Sequence, residues 1–301
     1  MDRKKILAIV GPTGIGKTSL SIRLAKLFDG EIISCDSMQV YKQMNIGTAK
    51  VTEREKEGIP HYLLDEQEYD EPYNVMIFQT KCRDAIQTIQ NKNKLPILCG
   101  GTGLYLKAAL YDYEFEEEQE DTEYTAYLHS LSNEQLVELL KQKDEKALEK
   151  IHPNNRKRVI RALQIAHSGK NKTQREEEQC HKPLYDIFFL GLDIDRDILH
   201  ERINKRVDLM FKEGLVKEVE ELFSDPQTWG YTSFQGIGYK EFKEYFEHTR
   251  TLEEVKDKIK VHSRQYAKRQ YTWFKNQMKV HWFDREDEGQ IVKSVKAWLY
   301  E

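Results

Sequence analysis

The glycine-rich stretch Gly11-Pro12-Thr13-Gly14-Ile15-Gly16-Lys17-Thr18 follows the apolar run Ile6-Leu7-Ala8-Ile9-Val10 and precedes a helix-forming segment over residues 19–28. This is G-x-x-x-x-G-K-T in the order strand, loop, helix, which is the context the motif needs. Glycines let the backbone curl until its N–H groups point at one anion. The helix behind adds its positive end, Lys17 adds a point charge, and the Thr18 hydroxyl can hold Mg²⁺. A polyphosphate or diphosphate is the expected ligand of residues 11–18.

Asp36 closes the next apolar run, Glu31-Ile32-Ile33-Ser34-Cys35, and reads as the one acid well placed at a strand end. Small-molecule kinases use such a position to take a proton from an attacking group, although an aspartate there can also cap a turn. The strand Leu95-Pro96-Ile97-Leu98-Cys99 runs into Gly100-Gly101-Thr102 and not into an acid that would hold Mg²⁺ through water, as in a motor or switch NTPase. Arg202 and Arg206 stand one helical turn apart, and this spacing makes them candidates for the diphosphate. Two segments mix basic groups with other features. Arg156-Lys157-Arg158-Val159-Ile160-Arg161-Ala162-Leu163-Gln164 follows His152-Pro153-Asn154-Asn155, and Arg264 to Lys275 interleaves Lys268 and Arg269 with Tyr266, Tyr271, Trp273 and Phe274. Such groups suit RNA phosphates and stacked bases, or else two ordinary amphipathic helices with their aromatics in a core.

The elements that must carry these residues alternate strand and helix. Apolar runs at 6–10, 31–35, 61–65, 95–99, 186–192 and 280–283 predict strands. Helical spacing covers 74–90, capped by Asn74, then 196–213, 215–223, 252–276 and 290–299, while Gly236-Ile237-Gly238-Tyr239-Lys240 opens a helix over 241–247. That order predicts an α/β fold with a P-loop parallel sheet flanked by helices, in which the strand ends gather residues 11–18, Asp36 and Thr102 at one cleft. Between the acidic run Glu114 to Asp121, read as a solvated hinge, and residue 184, only helical patterns occur, at 124–131, 133–143, 144–151 and 154–167. The expected domains are therefore a core of 1–113 with 185–301, and an all-helical insertion at 114–184. The formal charge of −4 gives no global pull toward nucleic acid, so any polyanion site is a local patch. Cys35, Cys82, Cys99 and Cys180 are scattered, which argues against a disulfide framework or zinc site, and five apolar residues near the start are too few for a signal peptide or membrane span. The expectation is a cytoplasmic monomer with no membrane association and no protein partner.

The motifs 11–18, Asp-Ser-Met-Gln-Val-Tyr (36–41), Ile-Gly-Thr-Ala-Lys (46–50), Gly-Gly-Thr-Gly-Leu-Tyr (100–105), His-Pro-Asn-Asn-Arg-Lys-Arg (152–158), Gly-Tyr-Lys-Glu (238–241) and Gln-Tyr-Ala-Lys-Arg-Gln-Tyr-Thr-Trp-Phe (265–274) run in an order that resembles the bacterial tRNA dimethylallyltransferases. The resemblance spans nearly the whole chain. It implies transfer of a dimethylallyl group from dimethylallyl diphosphate to the exocyclic amine of the adenosine beside the anticodon (tRNA position 37), with Mg²⁺ as cofactor. It implies that Thr13 to Thr18 hold the diphosphate, with Mg²⁺ at Thr18. Asp36 would accept the amine proton, and Ser37, Met38 and Gln39 would contact the base and its neighbours. Thr102 would line the reaction channel, and Ile160, Arg161, Ala162, Leu163 and Gln164 would meet the tRNA. Arg156, Arg158, Gly238, Tyr239, Lys240, Arg264, Lys268 and Arg269 complete the expected tRNA contacts. A zinc finger of the eukaryotic kind is absent from the sequence read. Three alternatives stay open on the residues alone: a P-loop kinase using ATP on a small acceptor, a non-catalytic RNA-binding protein whose loop senses a nucleotide, and prenylation of a free adenine nucleotide.

Overall fold

In a computed structural model of the chain, residues 4–115, 121–167, 169, 173 and 181–301 are described. In chain order the elements are β1 (Lys5–Val10), α1 (Lys17–Leu27), β2 (Gly30–Ser34), α2 (Glu53–Lys56), β3 (His61–Tyr62), α3 (Val75–Asn91), β4 (Leu95–Cys99) and α4 (Gly103–Leu110). Then come α5 (Thr122–Ser130), α6 (Asn133–Asp144), α7 (Ala147–Lys150), α8 (Arg156–His167), β5 (Asp186–Asp193), α9 (Arg196–Glu213), α10 (Leu215–Phe223) and α11 (Lys243–Phe246). The chain ends with α12 (Leu252–Gln277), β6 (His281–Asp284) and α13 (Glu288–Tyr300).

The six strands form one parallel sheet in the order β3-β2-β4-β1-β5-β6. Continuous apolar runs suit a parallel sheet because both of its faces are covered. In β1, Ile6, Ala8 and Val10 face one buried cluster with Phe78, Leu106, Phe223 and Phe274, and Leu7 and Ile9 face the other with Leu20, Leu24 and Ile203. Each such fully buried Val, Leu or Ile side chain contributes about 1.5–3 kcal/mol. Asn74 caps α3 by accepting from the N–H of Met76 (2.9 Å) and Ile77 (3.0 Å).

The chain divides into two compact units, Met1–Tyr111 with Pro183–Glu301, and Asp112–Lys182. The second has its own apolar core of Leu128, Leu136, Leu140, Ile151, Val159, Ile160, Ala162 and Leu163, supplied by α5 to α8. Residues 116–120, most of the acidic run, and Cys180 lie outside the described residues. Among the described residues no helix is long and apolar enough to cross a membrane.

Several local expectations need correction. The run 61–65 is a strand only at His61–Tyr62, because Leu63 (φ 60°) and Asp65 (φ 54°) leave the extended region. The helix expected at 241–247 is a 3₁₀ turn, Lys240–Phe242, followed by the single turn α11. Helix α4 was hidden by the glycines around Thr102. Asp36 is also not alone at a strand end: Asp193 ends β5 and Asp284 ends β6. Asp193 is spoken for, since its carboxylate binds the N–H of Ile194 (2.9 Å) and the Tyr271 hydroxyl.

Candidate active site

The carboxyl ends of β1, β2 and β4 open into a cavity of about 470 Å³. Its floor is the glycine loop. Gly14 (φ 82°) and Gly16 (φ 106°) adopt left-handed backbone that other residues rarely take. Gly16 caps α1 without any side-chain hydrogen bond, so the first N–H groups of that helix remain available to an anion. Thr13, Gly14, Gly16, Lys17 and Thr18 line the cavity. Gly11, Pro12 and Ile15 do not: Ile15 is a core residue, while the Gly11 and Pro12 carbonyls accept from Lys17 Nζ at 3.0 and 2.9 Å. Burial lowers the Lys17 pKa to about 8, with nearby Arg206 acting in the same direction and Cys99 and Asp36 opposing.

Helix α9 brings both predicted arginines to this loop. Arg202 Nε donates to the Gly14 carbonyl at 3.0 Å, and Arg206 Nη1 donates to the Thr13 hydroxyl at 3.2 Å. Arg206 Nη2 reaches the Thr48 carbonyl at 3.5 Å. Burial pulls the Arg206 pKa down and the Asp36 charge pushes it back up, which places a carboxylate close to this guanidinium.

Asp36 sits just past β2, half-buried on the cavity wall. Its Oδ1 caps the following turn by accepting from the N–H of Met38 (2.9 Å) and Gln39 (3.4 Å). Among the described residues no hydrogen bond engages Oδ2. One oxygen of this carboxylate thus caps the turn and leaves the other free of that duty. Ser37, Met38 and Gln39 line the same wall, as do Gly238 and Lys240. The Gln39 amide donates to the carbonyls of Thr48 (3.1 Å) and Ala49 (3.3 Å) and accepts from Ser34 Oγ (3.3 Å).

Helix α12 forms the far side. Gln270 accepts from the Thr13 N–H at 2.9 Å and donates to the Gly101 carbonyl at 3.1 Å, tying the glycine loop to the β4 loop. Tyr266 lines the cavity with Arg269 stacked 5.7 Å from its ring. Burial, and then the Asp36 charge, raise the Tyr266 pKa to about 12. Thr102 is not on the cavity wall, and its side chain neighbours the Tyr266 hydroxyl. The Thr102 hydroxyl is buried.

Among the described residues no three His, Cys, Asp or Glu side chains cluster as a metal cage. A Mg²⁺ site on a glycine loop does not need one, because that ion keeps waters and substrate phosphate oxygens around a single protein hydroxyl. Thr18, exposed at the head of α1 and lining the cavity with Lys17 and Asp36, fits that donor set.

A family model for IPP transferase matches residues 39–277. The chain belongs to the IPP transferase family. It is 47% identical to the tRNA dimethylallyltransferase of Anoxybacillus flavithermus over 298 residues, covering 99% of this chain and 96% of that one. The corresponding Enterococcus faecalis enzyme is 47% identical, with 98% of each chain covered. Among solved structures, the tRNA delta(2)-isopentenylpyrophosphate transferase of Staphylococcus epidermidis superposes with TM-score 0.73 at 42% identity, covering 99% of both chains. A eukaryotic dimethylallyltransferase acting on tRNA gives TM-score 0.83 at 33% identity, covering 98% of this chain and 77% of the other.

Within this member of the IPP transferase family, some expected tRNA contacts are core residues instead. Tyr239 is fully buried, with its hydroxyl on Glu218 at 2.6 Å. In the helical unit, Ile160, Ala162 and Leu163 are buried, leaving Lys157, Arg158 and Arg161 on the exposed face of α8. Arg156 is used internally, donating to Asn133 Oδ1 (3.0 Å) and the His129 carbonyl (2.9 Å), and Gln164 donates to Thr125 Oγ1 (2.9 Å). Arg264 donates to Asn204 at 2.5 Å, while Lys268 and Arg269 are exposed. The sequence pattern singled out Tyr266 but neither Gln270 nor Arg285, the last lying outside the cavity wall but over Gly16, close enough to touch a side chain there. Gln270 sat inside a quoted motif; Arg285 carries no local signal at all.

Proposed function

We propose that the protein transfers a dimethylallyl group from dimethylallyl diphosphate to the exocyclic amine of adenosine 37 in a tRNA anticodon loop. The observation that carries this reading is the meeting, in one cavity, of an anion cradle with a carboxylate that has one uncommitted oxygen. The family and the names of its members support the acceptor and donor.

The diphosphate lies on the N–H groups at the start of α1, against Lys17 and Arg206. These groups are fixed before the reaction and face the charge that develops as the allylic carbon–oxygen bond breaks. The adenine amine is a weak nucleophile because its lone pair is delocalised into the ring. Its nitrogen forms the new bond to the allylic carbon, its proton passes to Asp36 Oδ2, and the diphosphate leaves with the electron pair. Proton removal of this kind contributes typically 10²–10⁴-fold. Mg²⁺ at Thr18, when bound, adds neutralisation of the leaving diphosphate. Reaching this site requires the base to leave its stack, at a cost of a few kcal/mol. Met38, Gly236 and Tyr266 give it apolar and aromatic walls.

The test compares three reactions of the purified protein: dimethylallyl transfer to unmodified tRNA, transfer to AMP, and phosphoryl transfer from ATP to small acceptors. The first is expected to dominate without ATP. Faster transfer to AMP would move the assignment to a free-nucleotide prenyltransferase, and ATP-dependent phosphorylation would make the protein a kinase.

A further inference from the structure

Glu218, on α10, is a buried carboxylate that no part of the mechanism above uses. Its two oxygens accept from three consecutive backbone N–H groups, Asn45 (2.9 Å), Ile46 (2.7 Å) and Gly47 (2.9 Å), and from the Tyr239 hydroxyl (2.6 Å). The segment it holds is a wall of the cavity, to which Gly47, Thr48 and Ala49 contribute. Gly47 has to be glycine, since a Cβ there would lie 2.5 Å from the Tyr239 ring. Burial and the Glu218 charge push the Tyr239 phenol well above its ordinary range, so it stays a donor. The far end of the segment is pinned by Lys50, whose Nζ reaches the Tyr41 carbonyl (2.6 Å), Asn45 Oδ1 (3.0 Å) and Asp65 Oδ1 (2.5 Å).

What this clamp fixes is the Thr48 carbonyl. That oxygen accepts from both Arg206 and Gln39, one on the diphosphate side of the cavity and one on the base side. We propose that Glu218, with Tyr239, is a positioning residue: it clamps residues 45–47 so that the Thr48 carbonyl holds Arg206 in reach of the diphosphate. This rests on the reading of Arg206 as a diphosphate ligand, and the test separates the two.

Glu218→Gln keeps the shape but replaces one acceptor oxygen with an NH₂ that faces N–H groups, and Tyr239→Phe removes only the hydroxyl donor. Glu218→Gln is expected to raise the KM for dimethylallyl diphosphate at least 10-fold, with a smaller change in the KM for tRNA. Tyr239→Phe is expected to give a smaller rise in the same direction. In an Arg206→Ala background, Glu218→Gln should add little further increase, because the group it positions is gone. An unchanged diphosphate KM in Glu218→Gln, or full additivity in the double mutant, would reduce Glu218 to a structural role and overturn the proposal. If Arg206→Ala alone left that KM unchanged, the diphosphate reading of Arg206 would fail first.

Discussion

At position 36 a single carboxylate divides its work between a turn and a cavity. Asp36→Asn keeps an oxygen for the Met38 N–H but cannot take a proton, so kcat should fall by about 10²–10⁴-fold while the affinities for diphosphate and tRNA stay near normal. Single-turnover transfer alongside equilibrium binding checks this; near-normal turnover would remove the general-base role. Lys17 carries the second prediction at this scale. Its pKa, lowered to about 8 by burial, means that the side chain is only partly protonated near pH 8 in the protein alone. A bound diphosphate favours the charged form and raises the pKa again. Binding near pH 8 therefore takes up a proton through Lys17, and affinity falls as pH rises through that value. Calorimetry in buffers of differing ionisation enthalpy measures the uptake, which should shrink in Lys17→Met. Equal uptake in the two proteins would assign the proton elsewhere.

At the scale of elements, the site depends on loops held together across the sheet. A Cβ on Gly100 would lie 2.3 Å from the Cys35 carbonyl oxygen, where backbone cannot give way easily. Gly100→Ala should therefore cost about 1–3 kcal/mol, seen as a lower urea midpoint, with weakened transfer because Asp36 follows Cys35 directly. An unchanged midpoint would show that the β2 and β4 ends are not tightly joined. The same scale explains what could be read in advance. Strands β1, β2 and β4, the glycine loop and helices α9 and α10 announce themselves by local apolar pattern. Arg202 and Arg206 were visible as one face of α9, and that face does meet the loop. Glu218 was not visible, because on an amphipathic helix an acid reads as surface; its burial comes from contacts with a loop 171 residues away. Tyr239 misled for the same reason, since its partner Glu218 is distant in sequence while Gly238 and Lys240 beside it do line the cavity. The left-handed Leu63 and Asp65 broke a run that looked like a strand, and no residue type there signals such a turn.

On the scale of the whole molecule, an acidic chain must meet an RNA through local basic groups. Lys157 and Arg158 stand exposed on α8 in the helical unit, whereas Arg156 holds that unit together. Replacing Lys157 and Arg158 by glutamine should weaken tRNA binding and lower the slope of log affinity against log salt by about 1–2, without moving the thermal midpoint. An unchanged slope would return α8 to a purely structural role. The central claim, that a diphosphate cradle here serves carbon–nitrogen bond formation, is tested most directly by nucleoside mass analysis. Unmodified tRNA is incubated with the protein, dimethylallyl diphosphate and Mg²⁺, then digested. The expected product is an adenosine heavier by one dimethylallyl group, derived from position 37, absent without the diphosphate and strongly reduced with Asp36→Asn. Recovery of unmodified adenosine alone from the wild-type reaction would contradict it.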